Sequence, residues 1–175
     1  FTFEQVTNAA GGSVVRVGIA NGRLAFGPVP APIITASGGI GMFVVSGAGV
    51  AGSLAATVTV AATAGFTVTG GGEIAVNTSA VAVRDSLTVG TGTVSIDLPA
   101  GPYLRIAGTG VSLDIAGQTL QGNIAVERSV SFGLDGVAGG GDDHTMVRIA
   151  ATDVSMSLGD GTRTLVSLTN GQALL

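Results

Sequence analysis

Two stretches near opposite ends of the chain have the same outline. Residues 16–27 are RVGIANGRLAFG and residues 148–159 are RIAATDVSMSLG. Each begins with arginine, alternates apolar residues around a short polar centre and ends in glycine. At the same offset of 132 residues, Gly39 corresponds to Gly171. A fixed long-range correspondence predicts a repeated structural unit, and this constrains the fold more than any single motif does.

A second correspondence extends the first one upstream. FTFEQ at 1–5 resembles IAVER at 124–128, with Glu4 matching Glu127 at an offset of 123 residues. The nine-residue difference between the two offsets falls in the loop before Arg148, which is longer in the second copy. We therefore interpret the two ends as diverged copies of one segment.

This duplication predicts how the chain is organised. Residues 1–43 would be the C-terminal third of one unit, and residues 44–175 would be one complete unit of about 130 residues. We expect the chain to be a segment of a longer tandem array, in which each unit buries its ends against its neighbours.

The composition and the apolar alternation predict an all-β fold. The chain has 30 glycines, 46% hydrophobic residues and only 10% charged residues. Short runs of period-two alternation are separated by glycine-rich turn signals, among them Asn21-Gly22, 108–110 and Asn170-Gly171. Asn-Gly favours the positive φ angles of a hairpin turn, so we expect the chain to reverse at these places.

We expect an elongated β-solenoid-like or continuous β-meander repeat, and the alternative is a chain of β-sandwich domains. Residues 53–63 and 80–83 place small apolar residues on both faces, a pattern typical of strands buried on both sides. The one stretch that could form a helical turn is TSAVAVRDS at 78–86.

Several phrases resemble those of a known class of repeats. They are FTFEQ (1–5), GVAGSL (49–54), VNTS (76–79), LPAGPYLR (98–105) and GQTLQGNIAVE (117–127). They are similar to repeats in the giant tandem-repeat, adhesin-like proteins that Gram-negative bacteria secrete or display on their surface. The resemblance covers nearly the whole chain. It implies an extracellular or cell-surface location and a structural or adhesive role, and it brings no catalytic or ligand residues.

The reactive residues are few. His144 is the only histidine, and it lies in a loop that only one of the two copies has in this length. Because a shared catalytic group would recur in both copies, we expect no enzyme activity and no catalytic residues.

The same loop contains the one candidate metal site. GGGDD at 139–143 resembles the glycine-rich turns that bind calcium in secreted β-rolls. Calcium takes about six to eight oxygen ligands, and Asp142, Asp143 and Asp135 could supply carboxylates. The alternative is a solvated surface loop. Calcium is the only cofactor that these residues leave open.

The charge and the hydropathy of the chain argue against two functional classes, nucleic-acid binding and insertion into a membrane as a helix. The net charge is −4 and the arginines stand singly, so we expect no nucleic-acid partner. No run of about 18 apolar residues occurs, so we expect no transmembrane helix.

The leading hypothesis is a structural segment that acts as a fibre, stalk or self-assembling scaffold. Its partners would be neighbouring repeats or copies of itself, end to end. The first alternative is a lipid-carrying apolar β-groove, favoured by the mean hydropathy of +0.61. The second is an adhesin module that binds carbohydrate or a host surface through the loop at 133–143, because variable loops carry binding on rigid scaffolds.

Overall fold

The computed structural model describes residues 1–7, 11–61, 66–137, 141–160 and 162–175. Within these ranges there are eleven strands and no helix, which confirms the all-β prediction. The strands are β1 (Thr2–Thr7), β2 (Ser13–Phe26), β3 (Ile34–Ser46), β4 (Gly49–Val60), β5 (Phe66–Asn77), β6 (Val83–Val89), β7 (Gly92–Leu98), β8 (Tyr103–Ile115), β9 (Gln118–Ser131), β10 (His144–Gly159) and β11 (Thr164–Leu174).

Nine of these strands form one antiparallel sheet. Its order is β1-β2-β3-β4-β5-β8-β9-β10-β11, so each strand lies beside the one that precedes it in the sheet. The strands β6 and β7 leave this meander and form a separate antiparallel hairpin. The described sheet is open, with β1 and β11 at its edges.

Three of the long strands, β2, β8 and β11, continue through a bulge or irregularity at a place where the sequence predicts a turn. Asn21 has a φ of 55° and Asn170 a φ of 54°, yet β2 and β11 continue through them. Gly110, with a φ of 57°, lies inside β8 in the same way. The predicted reversals at these places are therefore wrong. A residue with positive φ fits a bulge as well as a turn, and here the neighbouring strands pair with the chain on both sides of it.

The segment before the hairpin also differs from expectation. Residues 78–82 form a non-helical loop and β6 begins at Val83, so the helical turn expected at 78–86 is wrong. Ala80, Val81 and Ala82 are exposed, which also contradicts burial of 80–83 on both sides. The physical reason is that this segment carries the chain away from the sheet and onto its face.

The core lies between the β6–β7 hairpin and one face of the sheet. Along β6 and β7, buried and exposed residues alternate, as expected for a hairpin with one face on a core. The outward face of the hairpin bears an exposed ion pair, in which the Nε of Arg84 lies 2.7 Å from the Oδ1 of Asp97. The buried residues that form the core are Met42, Val44, Ala51, Ala75, Leu87, Val89, Val94, Ile96, Leu98 and Tyr103.

Candidate functional site

The two ends of the sheet share one pairing register. Glu4 lies opposite Arg16 in β1–β2, and Glu127 lies opposite Arg148 in β9–β10. Each pair forms an ion pair, with nitrogen–oxygen distances of 3.3 Å and 3.2 Å respectively. The correspondence taken from the letters of the sequence therefore holds between strand partners in space.

The next strand pair at each end, β2–β3 and β10–β11, shows the same correspondence. Gly18 lies opposite Met42 in β2–β3, and Ala150 lies opposite Leu174 in β10–β11, each residue displaced by the same 132 positions. The bulges also correspond, since Asn21 and Asp153 both have a φ of 55°. β1–β3 and β9–β11 thus have equivalent pairing and equivalent backbone irregularities. The division into units at 1–43 and 44–175 stays a prediction.

The face of the sheet that carries the hairpin, here called the hairpin face, continues beyond it as a charged stripe. The Nη1 of Arg105 on β8 lies 2.6 Å from the Oε2 of Glu73 on β5. Arg105 is also the strand partner of Glu127 on β9. Glu127 in turn pairs with Arg148 on β10. Opposite charges on neighbouring strands favour this pairing register. Because these side chains are partly exposed, the ion pairs add little to the free energy of unfolding.

Tyr103 closes one side of this stripe. Its hydroxyl donates a hydrogen bond to Glu127 at 3.3 Å, and its ring is buried in the core beneath the hairpin. Burial, together with the negative charge of Glu127, raises the pKa of the Tyr103 phenol. These contacts orient the ring and fix the register; they do not place a nucleophile beside a base.

The ion pair between Arg16 and Asp85 joins the hairpin to the sheet. The Nε of Arg16 on β2 donates to Asp85 on β6 at 2.6 Å, and both side chains are largely shielded from solvent. The hydrogen bond to Asp85 raises the pKa of the Arg16 guanidinium above its usual range. This contact fixes the position of the hairpin along β2.

A buried amide holds the two arms of the hairpin together. Asn77, at the end of β5, is fully buried. Its Nδ2 donates to the carbonyl oxygens of Val81 at 2.8 Å and Pro99 at 2.7 Å, on the outgoing and returning arms. Its Oδ1 accepts hydrogen bonds from the backbone N–H and the hydroxyl of Ser79. Every polar atom of the amide is therefore used in positioning the hairpin.

The opposite side of the sheet, here called the open face, is largely apolar, with Arg128 on β9 as an exception, and no described residue covers it. Strand partners point to the same side of a sheet, so the register identifies which residues share this face. Ile74, Ile106, Val126 and Ile149 form one continuous row across β5, β8, β9 and β10. Each of these side chains is 39% to 52% exposed. An apolar row of this length, uncovered by the described residues, is a candidate interaction surface.

A groove of about 390 Å³ lies on the open face, where the strands pass the bulges. Among the described residues, Gln121 is the only polar one that lines it. The lining residues are Val68, Val111, Leu113, Leu120, Gln121, Gly122, Ile124, Ala151 and Val154. Its size and lining suit a small apolar ligand.

The three aspartates of the predicted calcium site lie in or near the loop before β10. The carboxylate of Asp142 accepts a hydrogen bond from the backbone N–H of Leu134 at 2.7 Å, and that of Asp135 accepts one from Val137 at 2.9 Å. Asp143 directly precedes β10. Residues 138–140, which include two glycines of the GGGDD motif, lie outside the described residues.

Across the part of the chain that the structure describes, no three acidic, histidine or cysteine side chains are grouped to hold a metal ion. The hydrogen bonds of Asp142 and Asp135 stabilise the loop itself. Calcium binding there stays a prediction.

No known protein family, curated protein or solved structure matches this chain. The resemblance to adhesin-like repeats therefore stays a prediction. The described ranges contain no apolar helix of membrane-spanning length.

Proposed function

We propose that the chain is a structural segment of a large tandem-repeat protein, secreted or displayed at a bacterial surface, in which successive units continue one sheet as a fibre, stalk or scaffold. The observation that carries this proposal is the common register of β1–β3 and β9–β11.

The equivalence gives each sheet edge a defined neighbour. β11 corresponds to β3, which has β4 on its other side, and β1 corresponds to β9, which has β8 on its other side. The edge of β11 is therefore suited to a strand like β4, and the edge of β1 to a strand like β8. Unpaired edge strands readily recruit further strands, which favours continuation of the sheet over an isolated unit.

The test compares chains of increasing unit number. Because Leu175 corresponds to Phe43, a copy of residues 44–175 attached after Leu175 continues the unit in register. We expect the melting temperature to rise with the second unit, since each added interface stabilises both neighbours. The matched control has one extra residue at the junction, which would turn every following side chain of that strand to the other face. Equal melting of all three chains would contradict the proposal.

The open face favours a second candidate function, a lipid-carrying groove. The groove lined by Val68, Leu113, Leu120 and Val154 is apolar apart from Gln121 and is open to solvent at its mouth. A single acyl chain is the ligand that this lining would accept, because Gln121 is the only polar residue among the described lining residues that could orient a headgroup.

Mass spectrometry of the purified chain tests this second candidate. We expect co-purified lipid from the native chain and much less from Leu120→Gln, which replaces an apolar side chain of the groove with a second amide beside that of Gln121. Leu165→Gln, on an exposed part of β11 outside the groove, is the control. Absence of lipid from the native chain, or equal lipid in all three, would refute this function.

A further inference from the structure

We propose that the hairpin face of β10 and β11 is a docking surface for a second hairpin of the β6–β7 type, supplied by the following repeat unit. The inference rests on the proposed tandem arrangement and goes beyond it, because it specifies which surface a neighbouring unit covers and which residues that unit must present.

The first argument is a contrast between equivalent positions. Met42 on β3 is fully buried beneath the hairpin, whereas its equivalent on β11, Leu174, is 80% exposed. Val14 packs against the core under the hairpin, whereas its equivalent, Met146, is 39% exposed. The same pairing geometry thus presents an apolar surface that is covered at one end of the sheet and bare at the other.

The second argument is charge. The side chain of Arg16 is 25% exposed and has two acidic partners, Glu4 on the neighbouring strand and Asp85 on the hairpin. Its equivalent, Arg148, is 58% exposed, and among the described residues it pairs only with Glu127, the counterpart of Glu4. The position that corresponds to the hairpin carboxylate is therefore open at Arg148. A docking hairpin should carry an acidic residue at the place that Asp85 occupies.

The third argument is shape. Gly18 lies directly beneath the hairpin, and a Cβ placed there would clash with Val89 and press against Leu87. The equivalent residue on β10 is Ala150, which already has that Cβ. A hairpin that docks on β10 should therefore have a residue smaller than valine at the place of Val89.

The test attaches a copy of residues 44–102 after Leu175, with Val89→Ala in the copy only. The chain contains no cysteine, so Leu174→Cys provides a single thiol whose labelling rate reports cover of this surface. A shorter extension, residues 44–79, adds strands without the hairpin. Leu165→Cys, at the other end of β11 and 72% exposed, is the control for general protection.

We expect the longer extension to slow labelling at position 174 by about tenfold or more, and the shorter extension to slow it far less. Asp85→Asn in the copy should weaken this protection, so that labelling at position 174 becomes faster again. Restoring valine at position 89 of the copy should speed labelling, and Ala150→Gly should then slow it again.

Equal protection by both extensions would overturn the docking proposal while leaving continuation of the sheet intact. If neither extension changes labelling or adds a cooperative unfolding step, the docking proposal and the proposed tandem function both fail. If valine and alanine at position 89 of the copy protect equally, the predicted size requirement is wrong.

Discussion

The contact between Gly18 and the hairpin gives the sharpest stability prediction. Gly18 is buried, and a Cβ at this position would clash with the Cγ2 of Val89 and lie 3.0 Å from the Cδ2 of Leu87. Both neighbours are core residues, 7% and 8% exposed, that cannot move without shifting the hairpin. Overpacking of this kind costs about 1–3 kcal/mol, so Gly18→Ala should lower the free energy of unfolding by about 2 kcal/mol.

A double-mutant cycle separates this clash from other effects. Val89→Ala alone should cost about 2 kcal/mol, from two lost methyl groups at about 0.8 kcal/mol each and a small cavity term. With the valine truncated, the alanine at position 18 has room, so the double variant should be less destabilised than the sum by about 1–2 kcal/mol. Gly47→Ala, where a Cβ meets no atom within 4 Å, controls for the general effect of replacing glycine.

Urea unfolding of the four chains of the cycle and the Gly47 control measures these values directly. Gly18→Ala as stable as the native chain, or a double variant whose cost equals the sum of the single costs, would refute close packing of the hairpin on β2.

Three further predictions concern the polar contacts. Arg16→Gln should cost about 2 kcal/mol in urea unfolding because it leaves the shielded carboxylate of its hairpin partner unpaired, whereas Arg148→Gln should cost under about 1 kcal/mol; equal costs would contradict this. Asn77→Ala should cost about 3 kcal/mol and expose the hairpin to amide exchange before the sheet, and simultaneous exchange would contradict it. Phenolate absorbance of Tyr103, the only tyrosine, should titrate above the ordinary pKa of about 10 and move down in Glu127→Gln. Because the pKa of Tyr103 is higher in the folded chain than in the unfolded chain, the protonated phenol contributes its full stability below a pH of about 10, and this contribution is lost as the pH rises through the folded pKa. An unchanged titration in Glu127→Gln would show that burial alone causes the shift.

The sequence carries the strand content and the end-to-end correspondence, and both can be followed to particular residues. Alternation over 93–98 predicts β7 within one residue of its observed bounds. The matched pairs Glu4–Arg16 and Glu127–Arg148 are visible as letters because each carboxylate and its cross-strand arginine recur at corresponding positions near the two ends of the chain. Local patterns of period two and long-range identity are what a single sequence records well.

The sequence is a poor guide to the places where the chain reverses direction. Asn21 and Asn170 have the positive φ that their sequence context predicts, but a bulge and a turn need the same local angle. Only the pairing of the flanking residues with neighbouring strands decides between them, and those neighbours are distant in sequence.

The site that holds the hairpin could not be predicted for a related reason. Alternation indicates that Leu87 and Val89 face a core, and Asp85 shares that side, which is the one available signal of a buried acidic partner. Nothing local identifies Arg16, 69 residues away, as that partner. The amide of Asn77 is similar, because its bonds to two arms of a loop exist only once the hairpin has left the sheet.

Cross-linking across the predicted junction tests the central claim most directly. β3 pairs with β4 through Met42 and Ser53, so in a chain extended by residues 44–175 the equivalent partners are Leu174 and Ser53 of the appended copy. Facing residues in antiparallel strands lie within reach of a disulfide. Cysteines at these two positions should cross-link readily under mild oxidation, whereas cysteines at Leu174 and at Leu54 of the copy, which face opposite sides, should not. Equal cross-linking of the two pairs, or cross-linking of neither, would contradict a sheet that continues from one unit into the next.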